Sequence, residues 1–287
     1  MSRVDVRKTH KLFIGGAFPR SESGRTYEVT DYKEQFLANM ALASRKDARD
    51  AVLAARSAVA KWSAATAYNR GQVLYRIAEV MEGRREQFIS EVSDSEGVSS
   101  RKAGAHVDAA IDRWVWYAGW ADKYAQVIGN TNPVAGPFFN FSVPEPTGVV
   151  AAVAPQDASI LGLVSVIAPI IVTGNAVIAM PSSSRPIPAI TLAECLATSD
   201  VPAGVVNILT GAPAEVMPWL AEHADVNALD LTGIVDEAVA ADLERSAAGT
   251  VKRVRGAAPH ADWQATPSLS RMRAFVEVKT VWHPMGV

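Results

Sequence analysis

The 287-residue chain has a single cysteine, Cys195, which excludes a disulfide framework and fits a reducing compartment. Its 28 basic and 30 acidic residues give a formal net charge of -2, and no basic stripe gathers anywhere along the chain. This distribution argues against nucleic acid as a partner. Residues 1–8 lack the apolar core of a signal peptide, so we predict a cytoplasmic protein.

One stretch without charge has the length of a membrane span. It runs from Ala158 to Met180. Pro169 and the Gly174-Asn175 pair divide it into an apolar segment of about 14 residues and a short β-branched run. We therefore predict a buried helix followed by a strand, and no membrane partner.

The chain also lacks the spacings that mark metal and hydrolase sites. Its histidines, at positions 10, 106, 223, 260 and 283, show no pair that would share a helix face, so no metal site is predicted. No Gly-x-Ser-x-Gly elbow occurs. His223 is interpreted as a helix cap. Cys195 is interpreted as a small buried apolar residue, because Leu192 and Leu196 share its side of a helix.

Between residues 148 and 255, five short β-branched runs alternate with helix-like segments. The runs are Gly148–Pro155, Ala176–Pro181, Val205–Gly211, Ala228–Gly233 and Thr250–Val254. Apolar strands that alternate with amphipathic helices bury both faces of a parallel sheet. The sequence therefore predicts an α/β fold with a doubly wound, Rossmann-like sheet, which binds ligands at the carboxyl ends of its strands.

Helices and isolated strands surround this region. Helices are predicted over residues 45–62, 70–92 and 100–127, and another over Val235–Ser246. Residues 11–18 predict a hairpin with a glycine turn, and residues 137–143 predict a strand bounded by Pro144 and Pro146. Residues 256–268 are interpreted as a linker, and residues 275–282 as a regular strand that needs a pairing partner.

Short motifs follow one another in the order and spacing of a known family. They are Lys11–Gly16, Ser23–Thr26, Val107–Asp112, Tyr117–Asp122, Glu145–Val150, Ile167–Pro169, Gly174–Val177, Pro202–Asn207, Leu231–Gly233, Gly249–Val254 and Phe275–Trp282. Together they cover nearly the whole chain, which resembles the aldehyde dehydrogenase superfamily. The resemblance implies a cofactor domain for NAD or NADP. It also implies that Phe275–Trp282 joins neighbouring subunits.

The departures from the family concern its chemistry. A Pro-Trp-Asn-Phe-Pro motif supplies the family's oxyanion amide, whereas this chain has Pro155-Gln-Asp-Ala-Ser159, with Asp157 at the donor position. A carboxylate there would repel the developing oxyanion and so reverse a stabilisation of the transition state worth about 3–4 kcal/mol. The general base of Leu-Glu-Leu-Gly-Gly-Lys is missing from Arg255–Pro259, and the chain passes to the terminal strand without the nucleophile or catalytic domain. We assign no catalytic residue.

Cofactor contacts are also altered. The family's Lys-Pro is Met180-Pro181, its glutamate is Ser183, and its serine after the fourth strand is Ile234. Asp236 and Glu237 add negative charge at the helix start, which favours the helix dipole and disfavours a phosphate. The remaining cofactor-binding candidates are Pro155, Pro181, Gly211, Thr232 and Gly233. We expect NAD or NADP binding to be weak or lost.

The predicted organisation has four parts. They are an N-terminal hairpin and helical part at 1–130, oligomerisation strands at 131–147, a five-stranded cofactor-type domain at 148–258, and a linker with an oligomerisation strand at 259–287. The favoured hypothesis is a non-catalytic homo- or hetero-oligomer with a full-length aldehyde dehydrogenase. One alternative is an NAD(P)-dependent oxidoreductase subunit completed by a partner. Another is a truncated product without a selected role.

Overall fold

The computed structural model describes residues 7–258 and 261–286. His260 was considered in the prediction about metal sites, and residues 1–6 in the prediction about a signal peptide. Both lie outside this part of the chain. No helix in the described ranges combines the length and apolarity needed to cross a membrane.

A five-stranded parallel sheet forms the centre of the molecule, in the order β10-β9-β6-β7-β8. Its strands are β6 (Val149–Val153), β7 (Ala176–Met180), β8 (Val206–Ile208), β9 (Ala228–Asp230) and β10 (Arg253–Arg255). The predicted doubly wound sheet is confirmed. The predicted bounds of the fifth strand were wrong, because Val251 still bonds through its amide to the Ala248 carbonyl and turns with a φ of 54°.

Both faces of the sheet are covered because its strands are apolar on both sides. Val150 and Ala152 face one core cluster, while Val149, Ala151 and Val153 face the other. The crossover helices are α6 (Leu161–Val172), α7 (Ile187–Ala197), α8 (Pro213–Glu222) and α9 (Glu237–Ala248). Every residue of α6 is buried, as the uncharged stretch predicted.

The Gly174-Asn175 pair ends the turn after α6. Gly174 adopts a φ of 95°, which a side chain would disfavour. Asn175 accepts a hydrogen bond from the Gly148 amide at 2.7 Å and donates to the Phe275 carbonyl at 2.8 Å. The asparagine therefore joins the start of β6 to the C-terminal part of the chain.

Between residue 7 and the central sheet, the chain forms five helices. They are α1 (Arg45–Ala64), α2 (Ala67–Glu82), α3 (Arg85–Glu96), α4 (Ser100–Trp120) and α5 (Tyr124–Ile128). Helix α1 begins with a capping box formed by Ser44 and Asp47. The single helix predicted over 70–92 was wrong, because the chain turns at Gly83 and Arg84. The helix predicted over 100–127 likewise divides at a turn over residues 121–123.

A small N-terminal sheet has the order β1-β3-β2, with strands β1 (Thr9–His10), β2 (Thr26–Thr30) and β3 (Phe36–Ala41). The β2–β3 hairpin was not predicted. A hairpin was predicted over residues 11–18, but there the structure has a single β-bridge, between Ile14 and Ala17. Phe13 instead bridges Ile208, so this segment extends the edge of the central sheet.

A third sheet has the order β11-β5-β4. Its strands are β4 (Asn130–Asn132), β5 (Phe138–Pro146) and β11 (Val276–Pro284), and α10 (Ser270–Ala274) precedes the last of them. Strand β5 includes Pro144 and Pro146, which the sequence placed outside it. The terminal strand, predicted over 275–282, pairs antiparallel with β5 of its own chain. Its other edge pairs with no described strand.

The segment predicted as a linker is packed against the body of the protein. Among its described residues it forms no helix or strand, but the Trp263 side chain is only 9% exposed. Arg113 donates to the carbonyls of Trp263 at 2.8 Å and Ala265 at 3.1 Å. The connecting segment is therefore held against α4 along part of its length.

Candidate functional site

The turns after four parallel strands meet at one edge of the central sheet. Pro155 follows β6, Pro181 follows β7, Gly211 follows β8, and Thr232 and Gly233 follow β9. Ligands of open α/β sheets bind at this edge. The topology thus gathers the five candidate cofactor residues at one edge, and their individual roles stay predictions.

Gln156 joins the turns after β6 and β7. Its side chain accepts a hydrogen bond from the Ser183 amide at 3.0 Å and donates to the Ala154 carbonyl at 2.8 Å. The Ser182 hydroxyl donates to the Gln156 carbonyl at 2.8 Å. The two turns are therefore cross-linked by their own polar groups. Sequence reasoning missed this glutamine, which it treated only as part of an altered motif.

Gly233 packs directly against the end of β6. Its amide donates to the Val153 carbonyl at 2.9 Å, and a Cβ at this position would overlap the Ala154 carbonyl. Only glycine fits this approach between β9 and β6. The glycine thus has a packing role whether or not a ligand binds at the turn.

The Thr232 hydroxyl faces the protein interior. Thr232 is fully buried, and its hydroxyl donates to a carboxylate oxygen of Asp230. The same hydroxyl accepts a hydrogen bond from the Arg271 guanidinium at 3.2 Å. Its backbone carbonyl accepts from the Ala258 amide at 3.2 Å. The polar groups of this threonine are therefore engaged by the chain itself.

Helix α9 is capped by its own carboxylate. The predicted start at Val235 was two residues early, because Asp236 is the capping residue and the helix begins at Glu237. One Asp236 oxygen accepts hydrogen bonds from the Ala238 amide at 2.8 Å and the Val239 amide at 3.3 Å. These are the amides that a helix N-terminus would offer to a phosphate. The cap places a negative charge where that phosphate would lie.

Asp157 is exposed at the end of the β6 turn. Its carbonyl oxygen accepts a hydrogen bond from Arg185 at 2.9 Å. The turn is therefore anchored through its backbone, and the carboxylate itself stays in solvent.

A groove of about 450 Å³ runs between the small N-terminal sheet and the turns after β7 and β8. Its walls include Tyr27, Leu42, Ser183 and Gly211. The Tyr27 hydroxyl is buried, and burial raises the pKa of Tyr27, an effect that a backbone contact with Gly211 opposes. This neutral hydroxyl and the serine give the groove a polar wall without a basic group.

Cys195 lies within α7 and is completely buried. Burial raises the pKa of the Cys195 thiol to about 11, an effect that Arg84 opposes and Glu194 and Glu91 reinforce. A thiol of this kind is protonated at neutral pH and shielded from a substrate. Its surroundings are those of a packing residue.

A second polar cluster fixes the start of α6. The Glu96 carboxylate accepts hydrogen bonds from the Ser159 amide at 2.8 Å and hydroxyl at 2.6 Å. Its other oxygen lies 3.1 Å from Nδ1 of His106. Glu96 is the bridging group, so the serine and the histidine do not form a nucleophile and base pair. Neither contact was predicted from the sequence.

His223 occupies the cap position at the C-terminus of α8. Its Nδ1 accepts a hydrogen bond from the Asp225 amide at 3.1 Å. The predicted capping role of this histidine is confirmed.

The parallel sheet, the helices on both faces and the turns at its carboxyl edge define a Rossmann-like α/β domain. Residues 18–256 match the model of the aldehyde dehydrogenase family, and the chain therefore belongs to that family. The positions predicted to depart from the family pattern, Asp157, Ser183 and Ile234, lie inside this matched region.

Individual relatives agree with this assignment. The cytosolic 10-formyltetrahydrofolate dehydrogenase of Homo sapiens is 32% identical over 81% of this chain and 26% of its own length. The putative aldehyde dehydrogenase DhaS of Bacillus subtilis is 29% identical over 87% of this chain and 50% of its own length. The chain thus spans half or less of the length of these relatives.

Solved structures show the same fold. The NAD+ complex of an aldehyde dehydrogenase from Bacillus cereus is 27% identical, with a TM-score of 0.81 over 86% of this chain and 50% of that one. A betaine aldehyde dehydrogenase from Staphylococcus aureus, also an NAD+ complex, is 26% identical with a TM-score of 0.80 over 85% of this chain and 49% of that one.

Proposed function

We propose that this chain is a non-catalytic aldehyde dehydrogenase-like protein. It acts as an oligomerisation or regulatory partner, either of itself or of a full-length aldehyde dehydrogenase. The observation that carries the proposal is the occupation of the carboxyl edge by the chain's own groups. Asp236 caps α9, and Arg271 and Asp230 engage the hydroxyl of Thr232. The expected binding of NAD or NADP is therefore weak or lost.

The absence of a reactive thiol supports the same proposal. The only cysteine is buried in α7, and the burial raises its pKa to about 11. A nucleophilic cysteine instead needs a depressed pKa and access to substrate. Asp157 also puts a carboxylate where the family has an oxyanion donor. These residues favour a scaffold over an active oxidoreductase.

The sheet formed by β4, β5 and β11 provides the surface for assembly. The Thr147 amide bonds to the Phe275 carbonyl, and the Met285 amide bonds to the Pro137 carbonyl. Hydrogen-bonded positions alternate along an antiparallel ladder, so the backbone N–H and C=O groups of odd-numbered β11 residues point toward β5. Val278, Thr280 and Trp282 direct theirs to the open edge, and the side chains of Val278 and Trp282 are more than half exposed. Such an edge is a template for another strand.

A substitution at Thr280 tests this surface. Thr280→Pro removes a backbone donor at the open edge and leaves the bonds to β5 in place. Thr280→Val is the matched control, because both variants lose the 3.0 Å contact between the Thr280 and Ser142 hydroxyls. Light scattering and co-purification with a full-length aldehyde dehydrogenase should show assembly for Thr280→Val and a monomer for Thr280→Pro. Equal assembly of the two variants would show that this edge does not mediate assembly.

An NAD(P)-dependent oxidoreductase subunit completed by a partner is the second candidate. The groove of about 450 Å³ beside Ser183 and Gly211 favours it, because it lies at the carboxyl ends of β7 and β8. Calorimetry with NAD and NADP distinguishes the two proposals. Saturable heat with either cofactor that inorganic phosphate does not displace would support the subunit, whereas the scaffold predicts no such heat at millimolar cofactor.

A further inference from the structure

A cluster of arginines lies beside the Thr232 turn, between the central sheet and the C-terminal segment. Asp230 of β9 and Arg255 of β10 are paired positions in the parallel ladder. Neighbouring residues paired in this way direct their side chains to the same face of the sheet. Arg255 therefore leaves the sheet next to the Asp230 carboxylate.

Two more arginines reach the same face from other elements. Arg271 of α10 lies 3.1 Å from an Asp230 oxygen, and its guanidinium lies 4.9 Å from the centre of the Trp263 ring. Arg113 of α4 donates to the carbonyl of Trp263 and, at 2.9 Å, to the hydroxyl of Ser165. Only 7% of Arg113 and 9% of Arg271 is exposed. Trp263 thus holds the two buried guanidiniums near each other.

The charges of this cluster do not balance. Asp230 pairs with Arg271, whereas within residues 7–258 and 261–286 neither Arg113 nor Arg255 forms an ion pair. The Arg255 Nε is buried and has no hydrogen-bond partner there. Burial lowers the pKa of Arg271, which Asp230 opposes and the charges of Arg255 and Arg113 reinforce. Buried charge without a counterion is costly.

We propose that Arg113, Arg255 and Arg271 form a binding site for a phosphate group, either free phosphate or the phosphoryl group of a nucleotide. Arg255 supplies the free donors, and its partial exposure gives the anion access. Arg113 and Arg271 supply supporting charge from the interior. A phosphate dianion supplies the counterion that Arg255 lacks, and its geometry suits the planar donors of arginine. The site requires neither catalysis nor assembly, so it stands apart from the proposed function.

Thermal unfolding of the full chain tests the site. Inorganic phosphate is titrated against sodium chloride at equal ionic strength, in a buffer without oxyanions. At ten times Kd, phosphate should raise the unfolding midpoint by about 3–6 °C in a saturable way. ADP provides a second arm, which separates a nucleotide phosphoryl group from free phosphate.

Two variants of β10 make the test specific. Arg255→Met removes the free guanidinium and should raise Kd at least about tenfold. Arg253→Met is the matched control, because it removes the same charge from the same strand, where Arg253 is exposed and lies 3.6 Å from Glu277. It should leave Kd within about twofold.

The outcomes are decisive in both directions. ADP binding that is displaced by phosphate and lost in Arg255→Met would assign the site to a nucleotide phosphoryl group and support the proposal. Equal midpoints in phosphate and chloride, with no response to ADP, would overturn it. Equal losses of affinity in Arg253→Met and Arg255→Met would overturn it as well, because general electrostatics would then explain the binding.

Discussion

Replacing Asp230 by asparagine tests whether the Arg271 contact holds the C-terminal segment on the sheet. The Asp230 side chain is fully buried and that of Arg271 is 10% exposed. Asp230→Asn keeps an oxygen that accepts from the Thr232 amide at 3.0 Å, but it removes the charge that faces Arg271. Loss of one partner from a buried pair costs about 3–5 kcal/mol, because the remaining charge stays buried and uncompensated.

This cost can be measured by urea unfolding followed by tryptophan fluorescence. The free energy of unfolding should fall by about 3–5 kcal/mol, which corresponds to about 6–20 °C in the thermal midpoint. The double variant Asp230→Asn with Arg271→Met should recover part of the loss, because it removes both charges. A single-variant loss below about 1 kcal/mol would refute the reasoning, since that is the value of an exposed pair.

Three further predictions concern other parts of the structure. Gly233→Ala should cost more than about 2 kcal/mol in urea unfolding, because its Cβ overlaps the Ala154 carbonyl, whereas Gly119→Ala, with no atom within 4 Å, should not destabilise the chain. Hydrogen bonds from His106 and Ser159 outweigh burial and lower the pKa of Glu96. The stabilisation from this low pKa is therefore complete when the pH is above the unfolded-state pKa of Glu96, and it is lost as the pH falls through the folded-state pKa. Glu96→Gln should therefore make the free energy of unfolding fall less steeply as the pH is lowered. An unchanged dependence on pH would contradict this. Cys195 should resist a thiol reagent at pH 8 until urea unfolds the chain, because burial raises its pKa to about 11, and rapid native labelling would contradict its packing role.

The sheet was predictable because its strands are apolar on both faces and alternate with helical periodicity. Val149–Val153 is buried at every position, so periodicity and burial agree. The helix over 70–92 was mispredicted because apolar spacing continues across Gly83 and Arg84. The glycine itself was the available signal, since its amide bonds to the Glu79 carbonyl and closes the preceding helix.

The polar contacts of the site could not be predicted in the same way. Asp230 and Arg271 are 41 residues apart and meet only because the C-terminal segment folds back on the sheet. One signal was present, because an aspartate within the apolar run Ala228–Leu231 requires a buried partner. The sequence did not identify which of the arginines would supply it. The Glu96 contacts with Ser159 and His106 likewise depend on the packing of α3, α4 and the β6 turn.

The most direct test of the proposed function is the formation of NADH or NADPH by the purified chain with an aldehyde and either cofactor. The proposal predicts no turnover above the rate without protein, at any aldehyde concentration. Its structural reasons are the buried thiol of Cys195, the carboxylate of Asp157 and the self-capped N-terminus of α9. Cofactor reduction that saturates with aldehyde would contradict the proposal, whether or not it persists when Cys195 is replaced by alanine.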